Sequence, residues 1–201
     1  MMRRNFYKIL QKRRTIYGLD RNIEVSEDRI EEIIKDAVNY VPSAFNSQSS
    51  RVVVLFGEQH EKLWEITKDK LIEVTPEEQF KSSTEGKINS FKEGYGTVLF
   101  FEDQTVVEDL QNRFSLYKDN FPIWAEQTSG MLQYIVWSSL EIEGLGASLQ
   151  HYNPLINEDV YKTWDIPSNW KFIAQMPFGN PTSTPDEKEF APLEHKYKVF
   201  K

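Results

Sequence analysis

Apolar residues recur with a helical period in the stretch that follows Ser26. The recurring residues are Ile30, Ile33, Ile34, Ala37, Val38 and Val41. Their spacing places all of them on one face of a helix. Ser26 is a suitable N-cap for this helix, and Pro42 ends it because the proline ring excludes the preceding residue from helical backbone angles. The pattern therefore predicts an amphipathic helix that stops just before Pro42.

Other patterns predict further elements along the chain. Short apolar runs predict strands at residues 51–56, 97–101, 147–150 and 170–176. Longer patterns predict helices around Phe6, at residues 58–73, 105–118, 124–145 and 157–164, and helical pieces within 75–93. The 124–145 helix is apolar nearly all round, which is typical of a core or a subunit interface. The proline and glycine residues at 177–181 predict turns that end the last strand. The tail after Thr182 is expected to be frayed or packed on a partner.

A polar loop lies between the helix that ends at Pro42 and the first predicted strand. Four of its residues, Ser43, Asn46, Ser47 and Gln48, carry small amide or hydroxyl side chains. Because two apolar elements flank so short a loop, its polar groups can be held in fixed positions for a ligand. An ordinary polar turn explains the same composition.

A Gly-x-Gly sequence at Gly144 and Gly146 resembles part of a dinucleotide-binding motif. Leu149 stands where that motif has its third glycine, and the pair follows a helix where the motif opens one. Both glycines are therefore predicted to belong to the C-terminal cap of the preceding helix.

Length and composition narrow the class of protein. The 201 residues favour one domain, 1–201, of mixed helices and strands, an α+β fold. The net charge of −7 argues against a nucleic-acid partner, which a basic face would have to bind. The chain has no cysteine, and no segment approaches 18 consecutive apolar residues. We therefore expect a soluble, cytoplasmic protein that is not bound to a membrane.

The usual catalytic motifs are missing from the sequence. His60 and Glu61 lack the second histidine of a zinc hydrolase motif, and Ser148 lies outside a nucleophile elbow. No metal site and no side-chain nucleophile are predicted, which leaves a bound organic cofactor or a binding role. Arg13 and Arg14 beside Thr15 suit a phosphate or a polarised carbonyl, although a solvated basic helix end is the alternative.

Five segments, taken in order, resemble the nitroreductase family of flavoproteins. They are residues 13–17 (Arg-Arg-Thr-Ile-Tyr), 42–48 (Pro-Ser-Ala-Phe-Asn-Ser-Gln), 94–103, 144–152, and 178–181 (Phe-Gly-Asn-Pro) with Lys188 beyond it. The resemblance covers nearly the whole chain, and its nearest likeness is to the fatty-acid-repression-mutant-like subgroup.

The resemblance implies a fold, a cofactor and an activity. The fold would be nitroreductase-like, with a mixed, mostly antiparallel sheet flanked by helices, in an interlocked homodimer with FMN at the interface. The activity would be ping-pong reduction of nitroaromatic or quinone acceptors, with NAD(P)H as electron donor. A flavin-binding redox-sensing or stress-response module with incidental turnover is the alternative.

The resemblance also assigns residues to the phosphate end of the flavin. Arg13, Arg14 and Thr15 would hold the ribityl phosphate and the pyrimidine edge, and Lys188 would add a positive charge at the phosphate. Because the FMN phosphate carries roughly −2 charge at neutral pH, a protein of net charge −7 must gather local cations to bind it.

Further residues would contact the flavin ring. Ser43, Asn46 and Gln48 would come from the partner subunit, and Lys87 would point toward the ring. Gln150 and His151 would lie near the reactive nitrogen. His151 departs from the family pattern, which has an acidic residue and then glycine at this place.

Overall fold

A mostly antiparallel sheet organises the part of the chain that the computed structural model describes, residues 2–201, with side chains from residue 6 onward. Its strands are β1 (Leu19–Asp20), β2 (Ser50–Phe56), β3 (Gly96–Asp103), β4 (Gly146–Ala147) and β5 (Trp170–Pro181). β3 lies between β2 and β5, while β1 and β4 pair with the other edge of β5. All these strand pairs are antiparallel, and a parallel bridge joins Thr15 to Ala147 beside β4. The expected α+β fold with a mixed, mostly antiparallel sheet is confirmed.

Helices connect the strands and cover both faces of the sheet. They are α1 (Met2–Lys12), α2 (Glu27–Tyr40), α3 (Gly57–Val74), α4 (Glu77–Gln79), α5 (Glu85–Lys92), α6 (Gln104–Arg113), α7 (Phe121–Ile142) and α8 (Asn157–Thr163). A π-helical turn, Phe80–Thr84, joins α4 to α5, and 3₁₀ turns lie at Ala44–Asn46, Ser115–Tyr117 and Leu193–His195. The predicted 105–118 helix is shorter than expected, because α6 ends at Arg113 and a 3₁₀ turn follows.

The cap and the apolar face of α2 agree with the sequence pattern. The Ser26 hydroxyl accepts a hydrogen bond from the Arg29 backbone N–H (3.2 Å), and α2 ends at Tyr40. The buried residues of α2 are Ile30, Ile33, Ile34 and Ala37. They share one core with Val98 and Phe100 of β3. A fully buried aliphatic side chain contributes roughly 1.5–3 kcal/mol, so this face fixes α2 on the sheet.

The two faces of β3 belong to two different cores. Val98 and Phe100 face the core that α2 and α7 cover, whereas Leu99 and Phe101 face a second core. This alternation follows from the period of two residues along a strand. Trp64 of α3 is fully buried in the second core, together with residues of α5 and α8.

The segment after Met176 was predicted wrongly as a turn-rich exit. β5 continues without a break to Pro181, and Ala147 pairs with Phe178 beyond the predicted end of the strand. Pro177 is tolerated because its carbonyl accepts from the Ser148 N–H (3.2 Å), so its backbone faces the short β4 and not the long β3.

The two glycines after α7 have different roles. Gly144 has φ +82° and closes α7, as predicted for a cap. Gly146 was assigned to the same cap wrongly, because it begins β4. A Cβ atom there would lie 3.0 Å from Cγ2 of Ile16, so glycine lets the segment before Ile16 approach the sheet closely.

None of the helices within residues 2–201 combines the length and the apolarity that are needed to cross a membrane.

Candidate functional site

Arg13 and Arg14 directly follow α1 and lie at the edge of the sheet beside β4. The Arg13 N–H donates to the Ile9 carbonyl at the end of α1 (2.9 Å), and Ile16 N–H donates to Ala147 (3.0 Å). Thr15 is bridged to the same alanine. We call Arg13, Arg14 and Thr15, lying beside β4, the basic edge.

Arg13 is held by aromatic rings of α7. Its guanidinium carbon lies 4.3 Å from the centre of the Trp137 ring and 5.7 Å from that of Tyr134. Its Nε atom is buried and has no hydrogen-bond partner among the described residues. Stacking therefore fixes the plane of the guanidinium while a buried donor is left over, and buried donors normally have a partner.

Arg14 links the basic edge to the C-terminal tail. Its Nη2 atom donates to the backbone carbonyl of Asp186 (2.6 Å). Lys188 follows two residues later, with its Nζ atom 5.3 Å from the centre of the Phe190 ring. The tail segment that carries Lys188 is therefore tied to Arg14 two residues before the lysine.

The basic edge differs in its charge partners from the other arginines whose side chains the structure describes. Arg21, Arg29, Arg51 and Arg113 each lie within 4.0 Å of a carboxylate oxygen. Among the side chains that the structure describes, no carboxylate lies that close to Arg13 or Arg14, nor to Lys87 or Lys188. The Glu141 carboxylate interacts with Arg13 through charge, but it lies beyond 4.0 Å and forms no ion pair with it. In a chain of net charge −7, cations that are not paired directly with carboxylates are suited to bind an anion.

Lys87 lies next to the same edge. Its Nζ atom is 5.6 Å from the centre of the Tyr17 ring and 5.8 Å from that of Phe91. Through Trp64 this aromatic group reaches Tyr152. Burial, with a smaller contribution from Tyr17, raises the pKa of Tyr152 to about 12, so its ring stays neutral.

Gln150 and His151 lie beside β5 and differ in exposure. The Gln150 backbone pairs with Gln175 in both directions (2.7 and 2.9 Å), and its buried amide donates to the Ser148 hydroxyl (3.0 Å). The Tyr152 N–H donates to the Gln175 side chain (2.8 Å). His151 is exposed between these fixed neighbours. The bonds on both sides hold the main chain around His151 in one position.

The 43–48 loop lies at the far end of β2. Three of its residues, Phe45, Asn46 and Gln48, have positive φ angles of 55°, 52° and 49°. Each such angle in a residue other than glycine costs about 1–3 kcal/mol, which the surroundings must offset. The Ser43 hydroxyl accepts from the Gln48 N–H (3.0 Å), and the side chains of Asn46 and Gln48 are exposed.

One chain keeps these two groups of residues apart. Thr15, Ala147, Phe178, Gly96 and Phe56 form one row across the sheet. Ser50, next to the loop, lies six residues along β2 from the end of that row. Four strand spacings of about 4.8 Å and six residue rises of about 3.4 Å separate the basic edge from the start of β2, next to the loop, by roughly 28 Å. Side chains of one copy do not span this distance.

Sequence reasoning missed the residues that support the basic edge. Tyr134 and Trp137 lie more than 120 residues after Arg13, and no local pattern couples them to it. The role of Tyr17 could have been predicted, because this aromatic residue closes the basic segment 13–17 in the sequence. The structure leaves it exposed. In residues 2–201 no group of three His, Asp or Glu side chains could hold a metal ion.

Comparisons with known proteins match nearly the whole chain. The family model "Nitroreductase family" matches residues 10–180. Two proteins of Saccharomyces cerevisiae, HBN1 and nitroreductase FRM2, are 36% identical over 97% of this chain and 35% identical over 92% of it. The matches cover 96% and 93% of those two proteins.

A solved structure is also similar over almost every residue. Nitroreductase CinD from Lactococcus lactis is 46% identical and superposes with a TM-score of 0.89, covering 98% of this chain and 100% of that one. Its structures hold chloramphenicol in one case and 4-nitrophenol in another.

Proposed function

Because the chain belongs to the nitroreductase family, and to the subgroup of its two yeast relatives, we propose that it is a cytoplasmic FMN-dependent reductase. NAD(P)H is its electron donor, and nitroaromatic compounds or quinones accept the electrons in the second half of a ping-pong reaction. The observation that carries this proposal is the basic edge, where Arg13 and Arg14 lie without carboxylate partners among the described side chains.

The residues at the basic edge fit the phosphate of FMN. A phosphate monoester brings roughly −2 charge and several acceptor oxygens. The buried Nε atom of Arg13 offers a donor that has no partner among the side chains described, and Arg14 adds a second positive charge. We propose that Lys188, two residues beyond the carbonyl that Arg14 binds, adds a third. In this proposal Thr15, which is bridged to Ala147, and Lys87, which lies beside Tyr17, contact the polar edge of the ring system. When bound, FMN supplies the two-electron redox chemistry for which the chain has no side chain of its own.

The protein's own residues position the reactants. The hydrogen bonds of Gln150 and Tyr152 fix the main chain around His151, so this segment can orient a nicotinamide and then an acceptor at one place. Tyr17, Phe91, Trp64 and Tyr152 form an aromatic floor beside Lys87, which keeps water away from this side of the site. Donors that are held in advance stabilise the negative charge of a reduced ring.

The active unit that we propose is a homodimer. In one chain the 43–48 loop lies roughly 28 Å from the basic edge by strand spacing, so a second copy would supply Ser43, Asn46 and Gln48 to the site. Exposed apolar residues on α7, such as Ile123 and Ile142, and the exposed Phe200 of the tail support an interface with a second copy. A groove of about 590 Å³ between α2 and β2 is a further surface that a second copy could cover.

The proposed acceptors rest on the similarity to CinD. Both 4-nitrophenol and chloramphenicol carry a nitro group on an aromatic ring, and each is present in a structure of that 46% identical protein. Quinones are flat conjugated acceptors of the same kind.

The experiment combines FMN binding with turnover. Purified protein is titrated with FMN, and oxidation of NADH and of NADPH is followed with and without 4-nitrophenol or a quinone. We expect stoichiometric yellow protein and nicotinamide oxidation that depends on the acceptor. The variant Lys162→Ala, which changes an exposed lysine of α8, serves as a control and should behave like the wild type.

Two other results are informative. A protein that stays colourless with excess FMN contradicts the proposal. A protein that holds FMN but oxidises neither nicotinamide supports the alternative, a redox-sensing module.

A further inference from the structure

A buried carboxylate lies at the end of an otherwise apolar strand. Glu102 of β3 is 1% exposed. Its two oxygens accept hydrogen bonds from two serine hydroxyls, Ser49 Oγ to Oε2 (2.6 Å) and Ser50 Oγ to Oε1 (2.5 Å). The carboxylate is therefore fully engaged by two consecutive residues of another segment.

Those two serines directly follow the 43–48 loop. Ser50 is the register partner of Glu102, and the Asp103 N–H donates to the Ser49 carbonyl (2.8 Å). A second link runs through Arg51, whose guanidinium donates to the Gln48 carbonyl (2.7 Å) and to Asp103 (2.9 Å). The last two residues of β3 thus hold the C-terminal end of the loop through side chains and main chain together.

The loop is anchored at its other side by apolar contacts. The Phe45 ring lies 4.9 Å from the ring of Phe114, 5.3 Å from that of Phe121 and 6.0 Å from that of Trp124. Three loop residues have positive φ, and the contacts of the two anchors offset the strain of that backbone shape.

Burial of a carboxylate is unfavourable, which makes a purely structural reason for Glu102 weak. Burial raises the pKa of Glu102, and the two serine hydrogen bonds oppose this rise. The nearby charges are Glu126, which also raises the pKa, and Arg51, which lowers it. An apolar residue would pack at this place without that cost, but it would give the serines no acceptor.

We propose that Glu102 is a positioning residue of the flavin site. It holds Ser49 and Ser50 so that Ser43, Asn46 and Gln48 keep the geometry in which they contact FMN bound at the basic edge of the other copy. This inference rests on the proposed function, and it adds a residue that does not itself touch the cofactor.

The size of the effect follows from the population of the correct loop shape. The apparent dissociation constant rises by the inverse of the fraction of molecules in the binding-competent state. If Glu102→Gln lowers that fraction to about one tenth, the dissociation constant for FMN rises roughly tenfold.

The first test is an FMN titration of Glu102→Gln, Ser49→Ala and Ser50→Ala, with the wild type beside them. The matched control is Glu126→Gln, because Glu126 is close to Glu102 but pairs with Lys171 (2.6 Å) and not with the loop. We expect weaker FMN binding and an altered visible circular dichroism of bound flavin in the first three variants only. The double variant Glu102→Gln/Ser50→Ala should be less affected than the two single changes predict, because they break one shared link.

The second test uses mixed dimers of two chains with different tags, one Glu102→Gln and one Arg13→Ala. If the loop serves the other copy's site, one of the two sites in each mixed dimer has neither defect. The FMN content should then approach half of the wild-type value, although each variant homodimer binds FMN weakly. If the loop serves its own chain, neither site of the mixed dimer is intact and its FMN content stays low.

Each contrary result has a distinct meaning. Wild-type affinity in all three variants overturns the role of Glu102 while the proposed reductase function stands. A mixed dimer without recovery overturns the supply of the loop by the other copy, both in this inference and in the proposed homodimer site. A wild-type protein that does not bind FMN overturns the proposed function itself. If Glu102→Gln does not fold, the serine variants, which keep the buried carboxylate, decide the question.

Discussion

Two polar regions of this protein are built in opposite ways. Around His60 of α3, each side-chain donor and acceptor is matched: Nδ1 lies 2.8 Å from the Thr97 hydroxyl, and Nε2 lies 3.2 Å from the Lys92 carbonyl. Trp64 also donates to the Thr97 hydroxyl (3.0 Å). At the basic edge, by contrast, the buried Nε atom of Arg13 has no partner among the described residues.

The matched region has one consistent proton arrangement. Because Thr97 accepts from Trp64, its own proton is free to donate to Nδ1 of His60. Nε2 then carries the ring proton and donates to Lys92. Burial lowers the pKa of His60 to about 4, and Arg21 contributes in the same direction, so the ring is neutral at physiological pH.

This difference indicates that the His60 region contributes to stability, whereas the basic edge serves ligand binding. Closed hydrogen-bond networks in the interior contribute to the free energy of unfolding, whereas donors left without partners at an edge are available to a ligand. Changes in the His60 region should therefore alter stability and leave FMN affinity unchanged. Changes at the basic edge should do the reverse.

The largest effect is expected for Thr97→Val. This change removes the hydroxyl that serves both His60 and Trp64, and each buried polar group left without a partner costs about 1–3 kcal/mol. We expect the free energy of unfolding of the apo-protein to fall by about 4 kcal/mol in urea titrations. FMN affinity, measured at low temperature where the variant is folded, should stay within about twofold. A loss below about 1 kcal/mol would contradict the closed network.

Acid should weaken the protein through His60. Below pH 6.5 the unfolded chain binds a proton at this residue, but the folded protein does so only near pH 4. Stability is therefore lost as pH falls through this window, by up to about 3 kcal/mol.

The measurement compares unfolding of the wild type and His60→Gln between pH 7 and pH 4. The comparison is needed because Glu102, whose pKa is raised, acts in the opposite direction: its contribution is present at low pH and is lost as pH rises. The free-energy difference between the two proteins should shrink toward pH 4. A constant difference would show that folding does not shift the pKa of His60.

Arg13→Ala tests the open region. Hydrogen bonds to charged groups contribute about 1.5–3 kcal/mol, so the dissociation constant for FMN should rise roughly 30-fold. The melting temperature of the apo-protein should change little. Arg29→Ala is the matched control, because Arg29 is paired with Glu32 and Glu143, and it should leave FMN affinity at the wild-type value. Full retention of FMN by Arg13→Ala after dialysis would remove this arginine from the site.

The smallest effect is expected for Lys188→Ala. An exposed cation on a mobile side chain contributes weakly and is screened by salt, so FMN affinity should fall only about threefold at low ionic strength. At high ionic strength the variant and the wild type should bind equally. A loss that is independent of salt would indicate a direct, buried contact.

The sequence predicts local structure best where one residue type has one physical reason. Ser26 caps α2, Pro42 follows its end, and Gly144 closes α7, as each residue's backbone preference indicates. The end of β5 was missed because Pro177 and Gly179 favour turns by composition, while the ladder with β3 and β4 overrides that preference.

The candidate site is only partly readable from the sequence. The basic segment and the polar loop could be recognised, and the structure places Thr15 beside Ala147, Arg14 against the tail carbonyl of Asp186, and Lys87 beside Tyr17. The positive φ of Phe45 could not be foreseen, because a bulky residue adopts it only when distant aromatic rings hold it. Glu102 had a signal, an acidic residue directly after an apolar strand, but its serine partners depend on register.

The bond from Arg14 to the tail ends on the main-chain carbonyl of Asp186 and not on its carboxylate. Every residue type has that carbonyl, so evolution can replace Asp186 freely without cutting the bond. What it cannot change freely is the number of residues between β5 and this point, since one insertion or deletion would shift the carbonyl away from the guanidinium. We therefore expect homologous chains to carry different residue types at position 186 and to keep the number of residues between β5 and that position.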